Sequence, residues 1–251
     1  MPETARHRPK NLIRVMPAEG HRHMPAPSAS STFIVVTGGD ALGRRDVADL
    51  PADAMVVAAD SGIDQARSAG LRVDVAVGDF DSVSAEGLRA VEEAGGVVER
   101  HPAAKDETDL ELALDAAVAR GAGRIRVLGG HGGRLDHFLA NALLLAAPKY
   151  ASVHLTAQMG GARLTVVRDL AVLSGRPRDL VTLLALHGTA TGVTTEGLLY
   201  SLTDDELLAG STRGLSNELL SSEATIRIRQ GVLLAVQVGR PGTHQQRKPS
   251  P

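Results

Sequence analysis

Cysteine and tryptophan are both missing from this chain of 251 residues. Without cysteine there is no disulfide frame, no thiolate nucleophile and no cysteine-bound zinc. The same absence fits a reducing cytoplasm, which is the expected location. Long apolar runs are also missing. The longest candidate, residues 140–147, is far too short to span a bilayer. Residues 1–31 lack the apolar block of a secretory signal. Charge of neither sign dominates: the net charge is −2, which argues against a broad nucleic-acid surface. What remains is an ordinary globular composition, 43% hydrophobic and 22% charged, long enough for one large domain or two modest ones.

The ends and the middle differ. Residues 1–32 mix Pro, His, Arg and Ser without periodicity and read as a disordered leader rather than a basic arm, with Met16 or Met24 as alternative starts. The Pro/Gln/Lys-rich tail, 241–251, reads the same way. From 33 to 150, short Val/Ile/Ala runs (33–37, 55–59, 73–77, 125–128) alternate with helical segments (63–69, 85–94, 109–120, 136–147). In 109–120, Leu110, Ala113, Leu114, Ala117 and Val118 recur at helical spacing, with Thr108 or Asp106 to cap the start and Gly121 past the end. Such βα alternation implies a mostly parallel sheet. From 151 to 240 the runs shorten and alternate, as in Thr225-Ile226-Arg227-Ile228-Arg229, which predicts an antiparallel sandwich or barrel. The expected fold class is therefore α/β: a mostly parallel α/β domain followed by an antiparallel sandwich or barrel.

Four polar stretches stand where such a sheet puts its ligand, beyond the carboxyl ends of its strands. In Gly78-Asp79-Phe80-Asp81 two acids follow a buried strand two residues apart. If strand geometry persists, both carboxylates point one way and offer hard oxygens to Mg²⁺. The plainer reading is an Asp-rich turn in which Asp81 or Ser82 caps the next helix. In Lys105-Asp106-Glu107-Thr108-Asp109 the acids complement a helix dipole. Asp109 is also placed to add a third carboxylate, and Lys105 to offset phosphate charge. In Gly129-Gly130-His131-Gly132-Gly133-Arg134-Leu135-Asp136, four glycines let backbone N–H groups turn toward an anion, and Arg134 adds a charged donor. The fourth stretch is Ala59-Asp60-Ser61-Gly62. Gly38 and Gly39 open a loop with P-loop glycine spacing, but Arg44-Arg45 replaces Lys-Ser/Thr, and Gly130–Leu135 lacks the last glycine of G-x-G-x-x-G. His131 and His137 have no further partner at zinc-like spacing.

In this order, and with Gly192-Val193-Thr194-Thr195-Glu196-Gly197-Leu198-Leu199-Tyr200 and Ser211-Thr212-Arg213-Gly214-Leu215-Ser216-Asn217-Glu218 in the second half, the motifs resemble the thiamine pyrophosphokinase family. The resemblance covers about residues 37–238. It implies an α/β domain and a β-sandwich working as a homodimer with shared active sites. It also implies transfer of pyrophosphate from ATP to thiamine, giving AMP and thiamine diphosphate, with Mg²⁺. The family's acids fall on Asp79, Asp81 and Asp109, which would hold magnesium and orient or deprotonate the thiamine hydroxyl. Asp60 and Asp136 match two further family acids. The nucleotide set expected on this reading is Gly38, Gly39, Asp60, Ser61, Lys105, Gly130, Gly132, Arg134 and Asp136. The thiamine set is Tyr200, Ser216 and Asn217. Some members stack a Trp on the thiamine pyrimidine, and here Tyr200 takes that position with a smaller face. Another Mg²⁺-dependent pyrophosphohydrolase or pyrophosphokinase, and a non-catalytic sensor, are the alternatives. ATP turnover without thiamine, or binding without AMP formation, distinguishes them.

Overall fold

The computed structural model describes residues 31–104 and 106–239. The expected leader and tail, and Lys105, lie wholly or largely outside that range. In chain order the first half comprises β1 (Thr32–Val36), α1 (Arg44–Val47), β2 (Met55–Ala59), α2 (Gly62–Ser68), β3 (Val75–Gly78) and α3 (Ala85–Glu93). It continues with β4 (Val97–Arg100), α4 (Asp109–Ala119), β5 (Arg124–Leu128) and α5 (Leu135–Leu144). A 3₁₀ turn, Pro148–Tyr150, leads into β6 (His154–Met159). The strands β4-β3-β2-β1-β5-β6 lie side by side and all parallel. Their order reverses between β1 and β5, the switch point at which open sheets bind ligands.

Alternation along each strand divides the core. Phe33, Val35, Val57, Val75 and Val77 face α4 and α5, packing on Leu110, Leu114 and Ala142. Ile34, Val36, Val56 and Ala76 face the other way, toward Ile63 and Ala66 of α2 and Val91 of α3. Apolar side chains on both faces of a strand require helices on both sides, as the unbroken Val/Ala runs predict.

The remaining strands are β7 (Ala162–Val167), β8 (Leu170–Ser174), β9 (Leu180–Glu196), β10 (Asp205–Leu207), β11 (Asn217–Glu218), β12 (Glu223–Arg227) and β13 (Gln230–Val238). All their pairings are antiparallel. The 17-residue β9 does most to shape this half. Its first part pairs with β13 and its last part with β12, so the sheet folds over a second core that includes Val181, Leu183, Ala190, Val193, Ile226 and Leu233.

Local readings need four corrections. The sequence reading passed over β4, an edge strand whose residues are half-buried or exposed and which carries Glu99 and Arg100. Helix α3 is capped by Ser84, whose Oγ accepts from the Gly87 N–H at 2.9 Å, and not by Asp81 or Ser82. Helix α4 begins at Asp109 under the Thr108 cap, so Asp106 and Glu107 precede its first turn. The last helix stops at Leu144 rather than 147.

Candidate active site

At the carboxyl edge of the parallel strands lies a cleft of about 510 Å³, lined by Gly38, Gly39, Asp60, Asp79, Asp81 and Asp109 among others. Asp60 directly follows β2, Asp79 and Asp81 follow β3, and Asp109 opens α4. Ligating oxygens of Asp60, Asp79 and Asp81 all lie within 4.8 Å of one another. A larger hollow, about 820 Å³, opens at the opposite edge beside Thr32, Met55 and Asp74. Among the described residues, the metal-competent group of side chains is in the smaller cleft, which also stands at the switch point.

Asp79 and Asp81 converge, but not through strand alternation. β3 ends at Gly78, and Phe80 adopts a left-handed conformation, φ 64°. That region is rare for a bulky side chain and marks a backbone held by its surroundings. The holds are visible. The Phe80 N–H donates to Asp60 Oδ1 at 2.9 Å, the Asp81 N–H donates to Asp79 Oδ1 at 3.1 Å, and the Arg100 guanidinium lies 5.0 Å from the Phe80 ring centre. Asp60 is itself left-handed, φ 43°. Its carboxylate occupies the space where a Cβ on Gly78 would fall, 2.1 Å from Oδ1. Glycine at 78 is thus required by the acid across from it.

Asp60 is only 5% exposed. Burial raises its pKa to about 6, against the Phe80 N–H bond that lowers it, and the carboxyls of Asp109 and Asp79 raise it further. Asp109 also hydrogen-bonds to Asp60. Three to four carboxyls in so small a space repel one another unless a proton or a cation is shared among them. This donor set is hard oxygen throughout and fits a divalent ion such as Mg²⁺.

The glycine loops after β1 and β5 meet above these acids. The Gly130 N–H donates to Gly38 C=O at 2.7 Å, and the Asp40 N–H donates to His131 C=O at 2.5 Å. A Cβ on Gly39 would lie 2.2 Å from that same His131 oxygen, so the loops approach as closely as glycine permits. Gln65 of α2 fastens the β1 loop by donating to Gly39 C=O at 2.7 Å. Ser61, Gly130, Gly132 and Arg134 all line the cleft. Arg134 is engaged by Asp136 through Nε at 3.2 Å and Nη2 at 2.5 Å, and this bond holds the Asp136 carboxyl down at about 2. His131 and His137 share the cleft wall but belong to no three-residue metal group among the described residues.

Family comparisons place these features together. A model described as thiamin pyrophosphokinase, catalytic domain, matches residues 50–157, and one described as thiamin pyrophosphokinase, vitamin B1 binding domain, matches 172–233. A thiamine pyrophosphokinase from Bacillus subtilis is 28% identical over 183 residues, 72% of this chain and 86% of that protein. The crystal structure of the Bacillus subtilis enzyme superposes with a TM-score of 0.72 at 26% identity, covering 84% of this chain and all of that one. That of a thiamin pyrophosphokinase from Geobacillus thermodenitrificans gives 0.70 at 31% identity, covering 84% of this chain and 99% of that one. The chain belongs to the thiamin pyrophosphokinase family.

The stretch matched by the family's second model holds the other expected residues. Tyr200 is 66% exposed. Its backbone is clamped by Asn217: the Tyr200 N–H donates to Asn217 Oδ1 at 2.9 Å, and Asn217 Nδ2 donates to Tyr200 C=O at 2.7 Å. Asn217 is buried, and its oxygen also accepts from the Glu218 N–H. Its amide is therefore committed to presenting Tyr200. Ser216 is exposed and left-handed, φ 58°, with its N–H on Thr182 Oγ1 at 3.3 Å. None of these residues lines the acidic cleft, whose last lining residue in the chain is Asn141. Sequence reasoning assigned Asp60 to the nucleotide, and the fold adds it to the acids that converge. Gln65 was not foreseen, because nothing local in the sequence links a half-buried helical glutamine to a loop 26 residues earlier.

Proposed function

We propose that the acidic cleft is where this chain performs its family's reaction, transfer of pyrophosphate from ATP to the hydroxyl of thiamine, giving thiamine diphosphate and AMP. The observation that carries this reading is the group Asp60, Asp79 and Asp81 beneath two interlocked glycine loops at the switch point. Phosphoryl-type transfer needs positioning and charge neutralisation rather than a covalent nucleophile, so the lack of cysteine costs nothing. Asp79, Asp81, Asp60 and Asp109 form the magnesium-holding set. Magnesium bound there supplies neutralisation of the phosphates on both sides of the bond that breaks. The glycine loops offer backbone N–H groups to phosphate oxygens, and Arg134 exchanges Asp136 for them. Asp109, at the end of a helix and against Asp60, is placed to orient the hydroxyl and take its proton.

The thiamine surface is Tyr200 with Ser216, presented by Asn217. Its place off the cleft of its own chain supports a homodimer with shared sites, in which the partner's second half closes the cleft. Beside the cleft, α5 exposes Leu135, Leu139 and Leu143 at 69%, 51% and 52%, spaced four apart on one face, as an interface between copies requires. No described helix is long and apolar enough to cross a membrane, and the cysteine-free composition suits the reducing cytoplasm, where we place the reaction. The test is incubation with ATP, Mg²⁺ and thiamine, following AMP and thiamine diphosphate together. Equal amounts of both are expected. AMP without thiamine diphosphate would mark a pyrophosphohydrolase instead.

A further inference from the structure

One polar pair at the cleft, in which His131 lines the wall and Asp40 stands behind it, has no place in the scheme above. Asp40, in the loop after β1, sets Oδ2 2.7 Å from Nδ1 of His131, in the loop after β5. The ring is fixed on two further sides. Phe138 of α5 meets it edge-on, with centroids 5.3 Å apart and planes at 79°. On the turn between β6 and β7, a Cβ on Gly160 would lie 2.7 Å from Cγ and Cδ2 of the ring, so only glycine leaves it room. Three separate segments thus hold one imidazole in one posture. A carboxylate on one ring nitrogen sets the tautomer. With Nδ1 turned to Asp40, Nε2 is the ring's other hydrogen-bonding atom.

His131 lines the cleft with Gly38, Gly39 and Gly132. The acids below supply only negative charge, and Arg134 is engaged by Asp136. A simple loop clamp would account for the Nδ1 contact, but an asparagine amide would serve equally well there. It would not account for a ring braced by both Phe138 and Gly160.

We propose that His131, positioned by Asp40, contacts the phosphate chain of the bound nucleotide through Nε2. This rests on the ATP-dependent reading of the cleft, and its test is arranged to be separable from that reading. Asparagine reproduces the Nδ1 donor and lacks Nε2, whereas glutamine reaches the Nε2 position and gives up the Asp40 bond. Binding of inorganic tripolyphosphate with Mg²⁺, and of ATP with Mg²⁺, is measured by calorimetry on the full chain for wild type, His131→Asn and His131→Gln, alongside melting temperature. Loss of one charge-assisted hydrogen bond weakens both ligands about tenfold or more in His131→Asn. The KM for ATP rises in step, kcat moves less, and the melting temperature holds. His131→Gln stays closer to wild type in affinity, although it loses the tie to Asp40.

If wild type binds tripolyphosphate but makes no thiamine diphosphate, the reaction reading falls, while weakened tripolyphosphate binding in His131→Asn still upholds the phosphate contact. Should His131→Asn not fold, near-normal affinity in His131→Gln supports the proposal and a tenfold loss at unchanged melting temperature opposes it. Unchanged tripolyphosphate binding in a folded His131→Asn overturns it, even if ATP binding weakens, because the ring would then meet the base or ribose. Normal binding in His131→Asn with impaired His131→Gln also overturns it and reduces the pair to a loop clamp.

Discussion

Asp79 and Asp81 stand half-buried and exposed on the loop after β3, and their carboxylates meet that of Asp60 across two left-handed residues, Asp60 and Phe80, joined by the bond from the Phe80 N–H to Asp60 Oδ1. Replacing either acid removes a proposed metal ligand without touching the core. Asp79→Asn and Asp81→Asn should each lower kcat by about 100-fold or more, since a metal contributes several kcal/mol of charge stabilisation. Melting temperature should hold, and activity within a few fold of wild type for both would remove the metal role. Asp60 makes a pH prediction. Its folded pKa, about 6, lies above its unfolded value, so the folded chain keeps a proton that the unfolded chain has lost. The resulting stability is full below about pH 4 and declines as pH rises through about 6. Without magnesium, Asp60→Asn should therefore gain stability over wild type across that window and hold the gain above it. Thermal melts from pH 4 to 8 check this. Added Mg²⁺ should stabilise wild type most above pH 6, where all the carboxylates are charged.

Helix α4 ties the acids to the sheet. Its inner face carries Leu110, Ala113, Leu114 and Ala117, all buried against β1, β2 and β3, so its first residue, Asp109, is held rigidly beside Asp60. The Thr108 cap contributes to that placement, and Thr108→Ala should cost about 1 kcal/mol of stability in denaturant titration. If Asp109 served only the helix dipole, Asp109→Asn would cost roughly 0.3–1 kcal/mol and little activity. The expected outcome is the reverse: turnover collapses and the melting temperature barely moves. A melting shift with normal turnover would return Asp109 to the role of a helix-start acid.

For the whole molecule, the separation of the Tyr200 surface from the acidic cleft matters most. Mixing two crippled chains tests the shared site. On the proposed reading Asp79→Asn loses the metal site and Tyr200→Ala the thiamine face; Asn217 is left intact, because its amide holds the Tyr200 backbone. Each homodimer should be nearly inactive at low thiamine. A two-fold dimer of one of each gathers both defects into one site and leaves the other whole. Co-refolded mixtures should regain activity, but less than half of wild type. Heterodimers as inactive as their parents, or a monomer in sedimentation at working concentration, would place the whole site within one chain.

The sequence by itself determined the layers and the location of the chemistry. Unbroken apolar runs buried on both faces call for helices on both sides, and alternating runs suit an antiparallel sheet, so the change of texture was readable from pattern; its place was not, because β6, expected in the antiparallel half, pairs parallel with β5 and the antiparallel pairing starts only with β7. The acids and glycines were equally visible, because strand ends in a parallel sheet all deliver their next residues to one edge. Other features depended on partners distant in the chain. The edge strand β4 has too little burial to leave a periodic mark. Ser84 rather than Asp81 caps α3, and it is held there by Asp64 of α2, which accepts from its N–H and its Oγ. Asp60 joins Asp79 and Asp81 only where Gly78 leaves space for its carboxylate. His131 gains Asp40, Phe138 and Gly160 from three segments, the farthest 91 residues away from it in the chain. Periodicity and local motif record what each segment buries and where it turns. Which side chains then meet is decided by the packing of the sheet, which no short stretch of sequence contains.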